Sequence, residues 1–291
     1  MIVVESFAAA RQATVGRSGL VPTMGYLHEG HLACAAALRS ESDCVVMSIF
    51  VNALQFNDPR DLARYPRSME RDLELARGAG IDVVFAPPVE EMYPEPPLTR
   101  VSVSVVAEGM EGLHRPGHFD GVATVVTKLF AGLRPDRAAF GRKDAQQLAV
   151  VKRLAADLSL GVRIVEVPTV REHDGLALSS RNVFIEDRKA ALGLSRGLFL
   201  AADAARAGER SATTLEEIAG QTASRAGATV EYATLADTRT ARRIPALDRT
   251  AFLAIAARVG SVRLIDNVVL EPDGTADRGT RLDGPSILGG S

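Results

Sequence analysis

The residues best suited to chemistry in this chain lie in Val21-Pro-Thr-Met-Gly-Tyr-Leu-His-Glu-Gly-His31-Leu. A short apolar run, Gly19-Leu20-Val21, precedes this stretch and a helix-like run over residues 32–39 follows it, so it reads as the turn between a strand and a helix. Two imidazoles, His28 and His31, stand three residues apart at the helix start with Gly30 between them. The start of a helix offers unpaired backbone N–H groups and the positive end of the helix dipole, the setting in which phosphates bind. Gly30 would let backbone approach such a ligand with no Cβ in the way. The same residues also make an ordinary βα turn with two surface histidines, and the other polar clusters of the chain weigh between these readings.

Three such clusters follow apolar runs: Asn52-Ala-Leu-Gln55-Phe56, Gly141-Arg-Lys143-Asp144 with Gln147, and Ser179-Ser180-Arg181. In a parallel α/β sheet, ligands bind beyond the C-terminal ends of the strands, and these clusters fall at such ends. Lys143, His28 and His31 would then supply positive or hydrogen-bonding groups to a triphosphate, and Ser179, Ser180 and Arg181 two hydroxyls and a guanidinium. Singly, each has a plainer reading: Lys143 as a surface lysine at a helix start, Ser-Ser-Arg as a commonplace loop, and Asp72 as part of a solvated helix face. Gln55 and Gln147 have apolar neighbours (Leu54 and Phe56; Leu148), which points to partial burial against a polar partner.

The elements that must position these groups follow from apolar periodicity. Strands are expected over 2–4, 20–24, 44–51, 82–87, 136–140 and 162–167. Helices are expected after a Ser6 cap and over about 30–42, 68–78 and 122–133, with a further helix running from Asp144 to about 158. The β-α-β rhythm implies an α/β fold, a Rossmann-like doubly wound parallel sheet with right-handed crossovers. Residues 101–106 alternate Val with Ser and read as a half-exposed or edge strand. Residues 109–121, rich in Gly and His, read as a loop that could be a mobile cover. Residues 171–182 form a polar loop at the expected boundary. Beyond it, Ala- and Arg-rich helices over 187–226 and strands over 230–235, 251–256 and 262–266 make a smaller C-terminal α+β domain. The expected division is 1–172 for the Rossmann-like domain, 173–270 for a smaller lid domain, and 271–291 for a disordered tail rich in Gly, Asp and Pro.

Of the 291 residues, 46% are hydrophobic and 24% charged, the mix of a globular protein. The formal charge of −2 argues against nucleic-acid binding by bulk charge, so basic residues must act as placed groups. No long apolar stretch suggests a membrane span, and residues 1–6 lack the basic and apolar regions of a signal peptide, so a cytoplasmic location is expected. Cys34 and Cys44 fit neither a zinc pattern nor a disulfide framework and read as buried thiols.

In this order and spacing the motifs resemble the pantothenate synthetases, the pantoate–β-alanine ligase family. The matching stretches are Val21 to His31, Ser48-Ile-Phe-Val-Asn52 with Gln55-Phe56, Asp61-Leu-Ala-Arg-Tyr-Pro-Arg67, Arg115-Pro-Gly-His-Phe-Asp-Gly121, Lys143-Asp-Ala-Gln-Gln-Leu148, Asp174-Gly-Leu-Ala-Leu-Ser-Ser-Arg-Asn182 and Arg263-Leu-Ile-Asp-Asn267. The resemblance covers about residues 1–270. Through it, the H-x-G-H turn and the Ser-Ser-Arg loop are similar to the nucleotide-site signatures of class I aminoacyl-tRNA synthetases.

The resemblance implies ATP- and magnesium-dependent condensation of pantoate with β-alanine through a pantoyl adenylate, releasing AMP and pyrophosphate, in the supply of coenzyme A. It implies that His28, His31, Lys143 and Arg181 are catalytic. Met24, Gly141, Asp144, Ser179 and Ser180 join them around ATP, with Asp144 on the ribose side. Met24, Asn52, Gln55 and Gln147 would hold pantoate, and Asp72 lies near where the family places magnesium. Tyr65 and His118 would be pocket neighbours. It further implies a homodimer. The chain departs from the family pattern at Arg142, where a Glu is usual, and at Ala53, where a Pro is usual. Arg142 could raise phosphate affinity or repel Lys143, and Ala53 removes a rigid φ from the Gln55 loop. Two alternatives stay open: a nucleotidylyltransferase that releases its adenylated product, and a nucleotide-binding relic disabled by Arg142.

Overall fold

The apolar run Cys44–Ile49 is buried at every position in the computed structural model of the chain, which describes residues 1–289. Burial without alternation marks a strand inside a sheet that is covered on both faces. That sheet has six parallel strands: β1 Ile2–Val4, β2 Ser18–Thr23, β3 Cys44–Ile49, β4 Val83–Phe85, β5 Arg137–Gly141 and β6 Arg163–Val167, in the order β1-β4-β3-β2-β5-β6. The chain runs outward from β2 through β3 to β4 and then returns to place β5 on the other side of β2. The C-terminal ends of β2 and β5 therefore flank the point where the strand order reverses, the position at which doubly wound sheets bind ligands. Helices α1 Phe7–Ala13, α2 Glu29–Arg39, α3 Pro59–Arg64, α4 Met69–Gly78, α5 Val89–Met92, α6 Met110–His114, α7 His118–Leu133 and α8 Ala145–Asp157 connect the strands. The Ser6 side chain caps α1 by accepting from the Ala9 N–H, as its position suggested.

The chain divides into two compact units. The first comprises residues 1–107, 111–141 and 150–167, and the second residues 108–110, 142–149 and everything from 168 onward. The change of unit near the expected boundary thus falls between Val167 and Pro168, not after 172. In the second unit, α9 Arg188–Arg206 and α10 Ala212–Arg225 bury alanine- and leucine-lined faces on a sheet. The strands of the second unit are β7 Val170–Arg171, β8 Thr229–Asp237, β9 Ala251–Val259, β10 Val262–Leu270, β11 Ala276–Asp277 and β12 Thr280–Arg281. The antiparallel order β11-β10-β9-β8 forms the main sheet, and β12 pairs with β7. Cys34 and Cys44 are buried free thiols, and burial pushes Cys34 up to about 12. Among the described residues, no helix is long and apolar enough to cross a membrane.

Three expectations are corrected. Residues 101–106 form no strand: the run ends in turns, and Val105 sits at φ 67°, outside extended backbone. The loop expected over 109–121 is mostly helical, in α6 and the first turn of α7, with His118 and Phe119 buried. Its glycines mask the helical periodicity: Gly112 and Gly121 stand where a Cβ would strike the Ala107 and Leu54 carbonyls, and Gly109 and Gly117 take positive φ before each helix. The tail expected to be disordered from Glu271 adds β11 to the main sheet and β12 to β7. Residues 290–291, the end of that tail, lie outside the described residues.

Arg171 anchors the second unit from a fully buried position. It makes a bidentate pair with Asp266, at 2.7 and 2.9 Å, and donates to the Gly175 and Asn267 carbonyls. Replacing one partner of such a pair strands the other charge in the interior. Arg171→Met should lower unfolding free energy by about 3–5 kcal/mol, whereas Arg171→Met with Asp266→Leu should recover most of the loss, both read by denaturant titration. Equal stability of the single and double variants would contradict this account of the pair.

Candidate active site

The turn after β2 is held from beneath by one carboxylate. Asp72, in the first turn of α4 and only 1% exposed, accepts the backbone N–H of Tyr26 and of Leu27, each at 2.7 Å. Tyr26 lies at φ 50°, a strained conformation for a side chain of its size, and persists because these bonds over-determine it. Burial raises the Asp72 carboxyl above its ordinary value, while the two amides and Arg71 act in the opposite sense. The solvated face that Asp72 suggested from sequence is corrected: the side chain is buried, and each of its oxygens accepts from the turn.

His28 and His31 finish that turn as a reciprocal cap on α2. His28 Nδ1 accepts the Gly30 N–H at 3.2 Å, and His31 Nδ1 accepts the His28 N–H at 3.3 Å. The rings lie 4.0 Å apart between centroids. A nitrogen that accepts carries no proton, so each neutral ring holds its proton on Nε2 and has that N–H as its one donor. Gly30 serves this cap: a Cβ there would lie 2.9 Å from the His28 ring. Its role is thus to admit an imidazole, where the sequence suggested a close approach by ligand.

Beyond β3, Met24, Asn52 and Gln55 are brought together. Tyr93 Oη donates to Asn52 Oδ1 at 3.0 Å, and Asn52 Nδ2 donates to Gln55 Oε1 at 3.1 Å and to the Gly121 carbonyl at 3.0 Å. Gln55 Nε2 then faces the Met24 sulfur at 3.2 Å. The chain of donors runs one way, so the phenol sets the orientation of both amides. Gly121 is required here, because a Cβ would fall within 2.4 Å of the Leu54 carbonyl oxygen. Below the loop, His118 Nδ1 donates to the Gln55 carbonyl at 2.8 Å, and Arg115 contacts both that carbonyl and His118 Nε2. The Arg115–Gly121 stretch is therefore the bed of the Gln55 loop. Tyr65 is buried edge-on against Phe56.

Gly141 ends β5 in the first unit, whereas Lys143, Asp144 and Gln147 belong to the second. Lys143 Nζ lies 3.6 Å from Asp144 Oδ1, and Gln147 is half-buried. Arg142 pairs with Asp277 of β11 at 2.6 Å, which gives its positive charge a carboxylate partner. Ser179, Ser180 and Arg181 also belong to the second unit, where the Ser179 hydroxyl accepts the Arg181 N–H at 3.3 Å and so caps a 3-10 turn. Asn182 and Arg188 tie that loop to the buried Glu172.

The first unit thus gathers Met24, Asn52 and Gln55 and builds the His28–His31 pair, and the second unit carries Lys143, Asp144, Gln147 and the Ser-Ser-Arg loop. Sequence reasoning missed Tyr93, which lies in a proline-rich stretch with no local signal. Among the described residues, no group of three or more His, Cys, Asp or Glu side chains could hold a metal by itself. A divalent ion would need oxygens from a substrate, as magnesium does when it binds through phosphates.

Asp72→Ala should leave two buried N–H donors without an acceptor. We expect a loss of about 2–4 kcal/mol in stability, and amide exchange at Tyr26 and Leu27 that accelerates more than in the sheet core. Unchanged protection at those amides would contradict the clamp.

Comparison with known proteins gives the family. The family model for pantoate-beta-alanine ligase matches residues 3–269. The pantothenate synthetase of Moorella thermoacetica is 52% identical over 271 residues, covering 91% of this chain and 94% of that protein. That of Heliobacterium modesticaldum is 50% identical over 264 residues, covering 89% and 94%. The crystal structure of pantothenate synthetase from Thermus thermophilus is similar with a TM-score of 0.88 at 46% identity, covering 94% of this chain and 99% of that one. Pantoate-beta-alanine ligase from Francisella tularensis, solved with beta-gamma ATP and beta-alanine, is similar with a TM-score of 0.76 at 31% identity, covering 92% and 97%. A strained turn clamped by Asp72, a paired-histidine cap and an oriented Asn52–Gln55 amide pair are how this chain builds its site, and the chain belongs to the pantoate-beta-alanine ligase family.

Proposed function

We propose that the chain joins pantoate to β-alanine at the expense of ATP, and that the observation carrying this reading is the oriented Asn52–Gln55 amide pair facing Met24 on a fold of this family. The Asn52–Gln55 amides and Met24 suit a small hydroxy acid, with Gln147 as a further donor. The His28–His31 cap, Lys143, Ser179, Ser180 and Arg181 suit the phosphates of ATP, with Asp144 at the ribose and Gly141 beside the nucleotide.

The chemistry requires both sets. A carboxylate is a poor electrophile, so the pantoate carboxylate oxygen attacks the α-phosphorus of ATP and pyrophosphate leaves, giving pantoyl adenylate. The amine of β-alanine then attacks the acyl carbon, the C–O bond to phosphate breaks, AMP leaves, and the amine gives up its proton. Such a transfer depends on alignment and on neutralising charge as it develops. The Nε2–H groups of His28 and His31 and the ammonium of Lys143 supply fixed donors for it. Magnesium enters with ATP as part of the substrate, where it neutralises phosphate charge. The retained donor set, with Arg142 paired to Asp277, favours an active ligase over a relic. The Gln55 pocket favours a ligase over a nucleotidylyltransferase. The reading includes a cytoplasmic enzyme, supported by its two free thiols, and a homodimer, which sedimentation would test.

Steady AMP release should require ATP, magnesium, pantoate and β-alanine together. AMP release at the same rate without β-alanine would favour the nucleotidylyltransferase, and ATP binding without turnover would favour the relic. Lys143→Ala or His31→Ala should lower kcat about 10²–10³-fold, the scale for one placed electrostatic donor, and an unchanged kcat would remove that residue from the mechanism. Tyr93→Phe, which leaves Asn52 Oδ1 without its donor, should raise KM for pantoate about tenfold with KM for ATP unaltered. An equal rise for both substrates would contradict the orienting role.

A further inference from the structure

We infer that Asn267 is a positioning residue for Lys143, holding the backbone of the lysine's turn through a forked amide. Asn267 lies on β10, is buried, and uses both hydrogens of Nδ2 on two consecutive carbonyls: Arg142 O at 2.9 Å and Lys143 O at 2.7 Å. One NH₂ group spanning adjacent peptides fixes the direction of both. The side chain that does this is itself fixed. The Asn267 N–H donates to Asp266 Oδ1 at 2.7 Å, and its carbonyl accepts from the buried Arg171 at 3.0 Å. The anchor of the second unit thus ends at the carbonyl of the catalytic lysine.

A second tie acts on the preceding side chain. Asp277 on β11 holds Arg142 at 2.6 Å through one oxygen, and accepts the Gly279 N–H at 2.8 Å through the other. The strand formed by the C-terminal tail therefore draws a guanidinium away from a lysine that must meet phosphate. A cation beside Lys143 with no such partner would compete for the same anion or repel the ammonium. Together the two ties set the course of the main chain at Lys143 and the direction of its neighbour's charge. Displacement of a reacting group by about 1 Å can cost about 10²-fold in rate.

The inference rests on the reading of Lys143 as a phosphate-contacting residue, and a double-mutant cycle separates the two. The readout is pantoate-dependent exchange of pyrophosphate into ATP, which reports the first half-reaction, measured on the full chain for wild type, Lys143→Ala, Asn267→Ala, Asn267→Asp, and Asn267→Ala in the Lys143→Ala background. Asn267→Asp keeps the shape and sets an oxygen against two carbonyls. We expect each Asn267 variant to lose about 10–100-fold in kcat with KM for pantoate within about twofold, and Asn267→Ala to cost less than about threefold once Lys143 is gone, because its effect passes through that residue. A loss in the Lys143→Ala background equal to that in wild type would overturn the inference, since Asn267 would then act on the fold at large. So would wild-type kcat in Asn267→Ala alongside a slowed Lys143→Ala. Wild-type turnover in Lys143→Ala would instead overturn the reading of the lysine. Should the Asn267 variants not fold, Asp277→Ala carries the same test: it releases Arg142 and should lower kcat about 3–10-fold only while Lys143 is present, and a loss independent of Lys143 would overturn the inference.

Discussion

A single buried carboxylate accepting two consecutive backbone amides holds the turn on which this site depends. Without Asp72, the strained backbone at Tyr26 has no reason to persist, and the two imidazoles that follow lose the direction from which they start. The electrostatics make this a firm device. A desolvated carboxylate binds amides strongly because water cannot compete, and because leaving either partner alone in the interior is costly. The cost of burial shows in the raised carboxyl of Asp72, which remains an acceptor on both oxygens.

The second unit solves the same problem with different chemistry. There a buried guanidinium–carboxylate pair, Arg171 with Asp266, fixes β10, and an amide on that strand reaches two carbonyls of the Lys143 turn. In both units a buried polar side chain on a regular element spends its hydrogen bonds on the backbone of a functional turn. The His28–His31 cap extends the principle, because the nitrogen that satisfies the helix start also settles which nitrogen keeps the proton.

Much of this was legible in the residues. The continuous apolar run at residues 44–51 had the pattern of a parallel strand covered on both faces, and the alternation of such runs with helical segments implied the doubly wound sheet. The spacing of Met24, Asn52 and Gln55 relative to strand ends anticipated their meeting. Other features were hidden for physical reasons. Glycine-rich residues 109–121 looked like a loop, but Gly121 is there because the Gln55 loop packs too close for a Cβ. The Val-Ser alternation at 101–106 had strand periodicity without a partner to pair with, and Val105 turns the chain instead. Asp277 lies 135 residues from Arg142, so no local pattern could reveal that the tail folds and answers the unusual arginine. Asp72 lies on a helix with many charges and read as a solvated face, and only its two amide partners, 45 and 46 residues away, show why it is buried.

The central claim is that pantoate is activated on phosphorus before the amine attacks. The most direct measurement gives the protein pantoate labelled with ¹⁸O in its carboxylate, together with ATP, magnesium and β-alanine, and then locates the label by mass spectrometry. Attack of the carboxylate on the α-phosphorus leaves one pantoate oxygen bridging to AMP, so one ¹⁸O should appear in each AMP released. AMP without label, with the displaced ¹⁸O found in pyrophosphate or water, would contradict the account.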